Sequence, residues 1–239
     1  MIQIRKFAEP KRVAEECARQ ILEWLDQAMG ANGLATLAIS GGSSPRAMFE
    51  LFAAKPFAWD RVHLFWVDER CVPVADSQSN YKFTKDTWLD AGRYPAANIH
   101  RVRTELAPSD AAAEYSKEIR EVFRLGEGEL PKFDVIHRGM GPDAHTASLF
   151  PGEAAIGNHK DIAAAVWVEK FKQWRVTLLP GVLESARHTA MLVAGADKAE
   201  ALKNVLNGPY DPVHFPAQIA ARDGSQAIWF VDEAAAGSL

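Results

Sequence analysis

Short apolar runs rich in β-branched and aromatic residues alternate along this chain with stretches whose apolar residues recur every three to four positions. Residues 10–29 place Val13, Cys17, Ile21, Trp24, Leu25 and Ala28 on one face, which predicts an amphipathic helix stopped by Gly30. Residues 34–39 read as a buried strand, after which Pro45 opens a helix through about Ala54 with Met48, Leu51 and Phe52 inward. Further strands are expected at 62–67, 133–137, 162–168, 175–179, 188–194 and 226–231. Between the last two, Asp197 with Glu200 resembles a capping box for a helix to Leu206, ended by Asn207-Gly208-Pro209. The stretch from Asp68 to Asn80 is too polar and Pro-marked for regular structure. Strands alternating with helices predict an α/β fold, an open and mostly parallel sheet with helices on both faces. Ligands in such sheets bind beyond the carboxyl ends of the strands. The loops after 34–39, 62–67 and 133–137 should therefore gather on one edge.

Composition narrows the class. The chain has 239 residues, 48% hydrophobic and 24% charged, which suits one soluble globular domain over residues 1–239. Lys and Arg number 27 against 31 Asp and Glu, a formal charge of −4, so nucleic acid is not an expected partner. No apolar run approaches the roughly 18–20 residues of a membrane span. The first ten residues carry charges where a signal peptide needs its apolar stretch. Cys17 and Cys71 give no disulfide framework, and the seven histidines show no ligand spacing. A cytoplasmic protein without metal or cofactor is expected. Its oligomeric state is left open, with a monomer as the default.

Three loops on the predicted ligand edge carry chemistry. Ser40-Gly41-Gly42-Ser43-Ser44-Pro45 joins a strand to a helix: its glycines allow close backbone approach, its hydroxyls donate, and the helix N-terminus adds free N–H groups. That suits a phosphate, although the spacing is neither a P-loop nor a dinucleotide fingerprint; the competing reading is a tight turn before a capped helix. Asp68-Glu69-Arg70 closes a strand, and Arg70 is a candidate clamp for phosphate or carboxylate oxygens. The alternative is a solvated acidic turn. Asn80 reads equally as a helix cap or a ligand contact. Gly139-Met140-Gly141-Pro142-Asp143-Ala144-His145 presents an acid and an imidazole two positions apart. Histidine is the natural general base near neutral pH, and a carboxylate can orient it. Against this stands a helix near His145 with Asp143 as its cap. No nucleophile stands out: Gly-x-Ser-x-Gly is absent, Ser148 sits where a small packing residue is wanted, and Cys71 beside Arg70 has no placeable His partner.

In this order, the three loops resemble the 6-phosphogluconolactonase family, hydrolases of the oxidative pentose phosphate pathway. The resemblance spans nearly the whole chain, through Val67-Asp-Glu-Arg70, Ser79-Asn-Tyr81, Gly139-Met-Gly-Pro-Asp-Ala-His-Thr-Ala-Ser-Leu-Phe-Pro-Gly152, Arg175-Val-Thr-Leu178, Lys198-Ala-Glu-Ala-Leu202 and Trp229-Phe-Val-Asp-Glu233; the third run is the most specific. It implies a Rossmann-like sheet of the glucosamine-6-phosphate deaminase type and a sugar-phosphate lactone as substrate. It also implies His145 as the general base for water, Asp143 as its partner, and substrate or phosphate contacts from Gly41, Gly42, Ser43, Ser44, Asp68, Arg70, Asn80, Gly141, Lys170 and Arg175. Lys172 competes with Lys170.

Three departures stand out. Ala144 replaces the family's glycine and would be strained if that position needs a positive φ. His137 and Arg138 replace a more apolar strand end and are placed near the site. Thr177-Leu-Leu-Pro-Gly181 differs from the usual run. The rivals are a sugar-phosphate isomerase or deaminase, which usually carries Tyr where Arg70 stands and a different run after the His, and a non-catalytic sugar-phosphate sensor.

Overall fold

The computed structural model describes residues 2–42, 44–222 and 226–239. Its main sheet is built from β1 (Gln3–Phe7), β2 (Ala35–Ile39), β3 (Val62–Trp66), β5 (Ile99–His100), β6 (Val135–Gly139), β9 (His188–Val193) and β10 (Ala227–Asp232). The order is β1-β10-β9-β6-β2-β3-β5 and every pairing is parallel. The near-continuous apolar runs are what such a sheet needs, because both its faces are covered. On one face lie α1 (Pro10–Asn32) and α2 (Arg46–Ala54), whose Val13, Ile21, Leu25, Phe49 and Phe52 pack against Leu37, Ile39, Leu64 and Trp66. The other face carries α4 (Pro108–Phe123), α5 (Pro180–Ser185) and α6 (Ala199–Asn207) over Ala38, Phe65, Ile136, Met191 and Trp229.

A second, antiparallel sheet of order β4-β8-β7 is formed by β4 (Asp68–Arg70), β7 (Ala163–Val168) and β8 (Gln173–Leu178). Runs 162–168 and 175–179 are thus a hairpin beside the parallel sheet. The stretch after Asp68 is corrected too: it begins as β4, paired Asp68↔Thr177, Glu69↔Val176 and Arg70↔Arg175, and ends in α3 (Asn80–Thr84). The parallel alternation and the seven strand runs are observed within a residue or two. Helix α1 runs past Gly30 and stops at Gly33, whose φ of 82° closes the C-terminus. No capping box forms at α6, since Asp197 pairs with Lys198 instead.

Candidate active site

The carboxyl ends of β2, β3, β6 and β9 open into one cleft of about 280 Å³. Ser40, Gly41, Gly42, Ser44, Asp68, Arg70, Asn80, Gly141, His145 and Arg175 all line it, so the three loops read from the sequence do converge. Ser43 lies outside the described residues.

The third loop is a run of turns rather than a helix. Gly141 N donates to His145 O at 2.9 Å and Ala144 N to Gly141 O at 3.0 Å, which folds the chain so that His145 faces back over Asp143. His145 Nδ1 and Asp143 Oδ1 are 2.5 Å apart. Lys170 Nζ donates to Asp143 Oδ2 at 2.9 Å. The bond to His145 and then that to Lys170, against burial, hold the Asp143 carboxyl well below the usual carboxylate range. With Nδ1 engaged, Nε2 is the nitrogen left for chemistry. The imidazole also stacks on Phe150, ring centroids 4.2 Å apart and planes 19° from parallel. Ala144 has φ 62°, the left-handed region where a Cβ is costly, as the alanine-for-glycine departure foreshadowed.

Lys170 belongs to the short turn between β7 and β8. Lys172, in the same turn, pairs with Glu169 and leaves Asp143 to Lys170.

Arg70 and Arg175 enter the cleft from the second sheet, directly across from each other in the β4–β8 pair. Two cations at facing positions repel, which favours an anion between or above them. Arg175 is 7% exposed; burial, with Arg70 adding and Asp68 opposing, pushes its guanidinium down. Among the described residues it meets Ser148 Oγ at 3.5 Å and Asp68 Oδ2 at 3.9 Å. Arg70 Nη1 donates to Gln78 O at 2.6 Å, while its Nε has no partner among the described residues.

Asn80 is not the helix cap: Ser79 caps α3 by accepting from Lys82 N at 3.1 Å. Asn80 Nδ2 donates to Asp68 O at 2.8 Å, and its buried Oδ1 has no partner among the described residues. A Cβ at Gly41 would lie 2.2 Å from that oxygen, so the close approach of the two loops requires glycine there. Ser148 Oγ donates to Asp68 Oδ2 at 2.6 Å, which commits this buried hydroxyl to packing the site.

One expectation is corrected. His137 lines the cleft, but Arg138, next in the strand, points to the other face, where its Nη2 donates to Ile219 O. Cys71, which did not stand out as a nucleophile in the sequence, has its thiol pushed up to about 11 by burial and the Glu69 charge.

Sequence reasoning missed three residues. Lys198 lines the cleft from the loop after β9, a fourth loop the strand-end rule would have reached. Phe150 was in the third motif without a role. Glu69 is 1% exposed and accepts from Arg70 N, Asn80 N and Tyr81 N at 2.7–2.8 Å, so it ties the 71–79 loop shut and aims Asn80 inward. Burial raises its pKa despite those three donors. Among the described residues, no group of three or more His, Cys, Asp or Glu is arranged to hold a metal ion.

A sequence profile of the glucosamine-6-phosphate isomerases/6-phosphogluconolactonase family matches residues 8–229. The chain is 37% identical over 220 residues to the 6-phosphogluconolactonase of Nostoc sp., covering 92% of this chain and 90% of that one. It is 35% identical over 216 residues to the 6-phosphogluconolactonase of Synechocystis sp., covering 90% and 89%. The crystal structure of 6-phosphogluconolactonase from Thermotoga maritima superposes with a TM-score of 0.83 at 26% identity, over 96% of this chain and 99% of that one.

Proposed function

The chain belongs to the glucosamine-6-phosphate isomerases/6-phosphogluconolactonase family, and on that premise we propose that it hydrolyses 6-phospho-D-glucono-1,5-lactone to 6-phospho-D-gluconate with water activated by His145. The reaction itself is supported by relatives that carry this name along nearly their whole length. The observation that carries the mechanism is the Asp143–His145 pair, an imidazole tied through Nδ1 to a carboxylate with Nε2 at a cleft.

Nε2 takes a proton as the water oxygen attacks the lactone carbonyl, and Asp143 stabilises the imidazolium that forms. Arg175, which lines the cleft, and Lys170, which holds Asp143, are the cations assigned to the developing oxyanion, and the Phe150 ring packs against both His145 and Arg175. When the tetrahedral intermediate collapses, the bond from the carbonyl carbon to the ring oxygen breaks. The imidazolium returns its proton to that oxygen, giving the sugar-acid hydroxyl. Water, and not an acyl-enzyme, is the route in this reading: Ser148 Oγ is buried, donates to Asp68 Oδ2 and is not among the described residues that line the cleft. Arg70 with the Gly41–Ser44 loop, and Lys198, bind the phosphate; Asp68 and Asn80 meet sugar hydroxyls. No metal or cofactor takes part. We further take residues 1–239 as one domain and the protein as a cytoplasmic monomer; no helix among the described residues is long and apolar enough to cross a membrane.

The test is hydrolysis of freshly made 6-phosphogluconolactone, corrected for spontaneous opening. Release of ammonia from glucosamine 6-phosphate in its place would assign the chain to the isomerase side of the family, and ligand binding with no turnover of either would make it a sensor.

A further inference from the structure

We propose that His137 is a substrate-binding residue at the phosphate end of the cleft, where its imidazole N–H and the Ser40 hydroxyl donate hydrogen bonds to phosphate oxygens. The inference rests on the sugar-phosphate reading above and adds to it a residue outside the motif loops.

His137 is 1% exposed, yet neither ring nitrogen has a hydrogen-bond partner among the described residues. Each of the other six histidines has a side-chain partner: His63 with His100, His100 with Glu118, His145 with Asp143, His159 with Glu184, His214 with Asp211, and His188 stacked on Trp24. A buried imidazole left unpaired is costly to the fold, and such groups are kept where they meet something outside the protein.

Its position says what that is. In the parallel register His137 lies between Ile39 of β2 and Ala190 of β9. Those two strands run on into the Ser40–Ser44 loop and the loop that carries Lys198. Ser40 N donates to His137 O at 3.0 Å, and the Ser40 hydroxyl, itself buried, also has no partner among the described residues. Both side chains line the cleft, beneath the glycines whose backbone suits an oxyanion. His145 and Arg175 reach the cleft from other elements, the loop after β6 and β8. The imidazole and the hydroxyl therefore form a polar floor under the anion cradle, separate from the reacting carbonyl.

Burial pushes the imidazole down to about 3, so the ring is neutral in the free protein and offers one donor and one acceptor. A neutral N–H placed under an oxyanion adds a charge-assisted bond without placing a further cation beside Lys198.

The experiment compares wild type, His137→Leu, His137→Gln and Ser40→Ala. Calorimetry with inorganic phosphate and with 6-phosphogluconate is run beside steady-state hydrolysis of the lactone. His137→Leu is expected to weaken both ligands and raise KM roughly tenfold or more, the order of one lost bond to a charged group, with kcat within about threefold of wild type. His137→Gln, which keeps a donor, is expected to recover part of the loss. Ser40→Ala is expected to weaken phosphate by a few fold on its own. A purely structural histidine would behave otherwise: His137→Leu would melt at or above the wild-type temperature and bind phosphate unchanged. Phosphate affinity within twofold of wild type in every folded variant overturns the proposal. If wild type fails to turn over the lactone, the assigned reaction falls, while the calorimetric comparison still decides the role of His137.

Discussion

Gly141→Ala tests the active-site geometry more sharply than removal of His145 does, because it leaves every reacting group in place. An added Cβ would lie 2.0 Å from His145 Nδ1, 2.1 Å from its Cε1 and 2.7 Å from Asp143 Oδ1. Ordinary contact begins near 3.4 Å, so the ring must retreat by 3.4 − 2.0, about 1.4 Å. It has nowhere easy to go. Phe150 is stacked on it at 4.2 Å, Nδ1 is tied to Asp143, and Asp143 is tied in turn to Lys170. The backbone of Gly141 lies outside the positive-φ region, so alanine costs little there in conformation. A displacement of about 1 Å can cost 10²-fold in rate, and loss of a general base about 10²–10⁴-fold. The expected result is therefore a kcat lowered by about 10²-fold or more in a variant that still folds, with a melting temperature lowered as far as an overpacking cost of about 1–3 kcal/mol requires. The control is Gly139→Ala, two residues earlier at the end of β6, where the added Cβ would meet Leu192 O at an ordinary 3.5 Å. Single-turnover lactone hydrolysis by both folded variants, with the spontaneous rate subtracted, makes the measurement. If Gly141→Ala keeps more than a third of the wild-type rate, or if Gly139→Ala loses as much, steric placement of the imidazole is not what this glycine secures.

His145→Ala should lower kcat by about 10²–10⁴-fold with KM little changed; a variant that keeps more than about a tenth of the rate means another group is the base. Arg70→Ala should raise KM for the phosphorylated lactone roughly 10–150-fold, and plain gluconolactone should be a poor substrate; equal kcat/KM for the two lactones contradicts a phosphate clamp. Ala144→Gly should stabilise the fold by about 1 kcal/mol, since glycine meets no Cβ penalty at φ 62°, and an unchanged or lowered melting temperature shows that the turn is not strained. Burial lowers the folded pKa of His137 to about 3, so between there and the ordinary value near 6.5 the unfolded chain binds the extra proton. That histidine's contribution is thus intact above pH 6.5 and is lost on acidification at about 1.4 kcal/mol per pH unit; chemical denaturation from pH 7 to pH 4 should give His137→Leu a shallower acid limb than wild type, and parallel limbs would refute it.

The parts of the fold legible in the sequence were those whose burial is written in large side chains. Strands β2, β3, β6, β9 and β10 are apolar because both faces are covered, and helix α1 carries Ile21, Trp24 and Leu25 on one stripe. Helix α4 escaped because its buried face is largely small: Ala111 and Ala112 stand with Tyr115 and Ile119, and alanine gives little contrast against a polar helix. Tyr115 fixes it all the same, accepting from Trp66 N and donating to Trp66 O. Edge strand β1 was hidden by its exposure, since Gln3-Ile-Arg-Lys-Phe pairs on one side only and reads as a polar tail. Strand β4 was hidden by chemistry: Asp68, Glu69 and Arg70 are poor strand formers, and their pairing is set by β8, more than a hundred residues later. The candidate site was the more legible half, because glycine, proline and paired polar residues after apolar runs mark loops at the ligand edge. Lys198 and Phe150 carry no such local mark, and contacts across the fold alone bring them in.

The pair His137–Arg138 shows where local reading must fail and why. Successive side chains of a strand face opposite ways, so two adjacent polar residues at the end of a buried strand cannot both enter one cleft. Sequence alone does not say which does. The face is set by Val135, two positions before His137, which packs with Ile39 under α1, and by Ile136, which packs with Ile219 on the other side. His137 therefore shares its face with the loops that form the anion cradle, and Arg138 is carried into apolar packing. There its Nη2 holds Ile219 O, while Ala217, two residues earlier, donates its N–H to Ala144 O at 2.9 Å. The buried guanidinium thus grips the segment that braces the strained residue between Asp143 and His145. Both polar departures at the end of β6 bear on the same site, one from within the cleft and one from behind it.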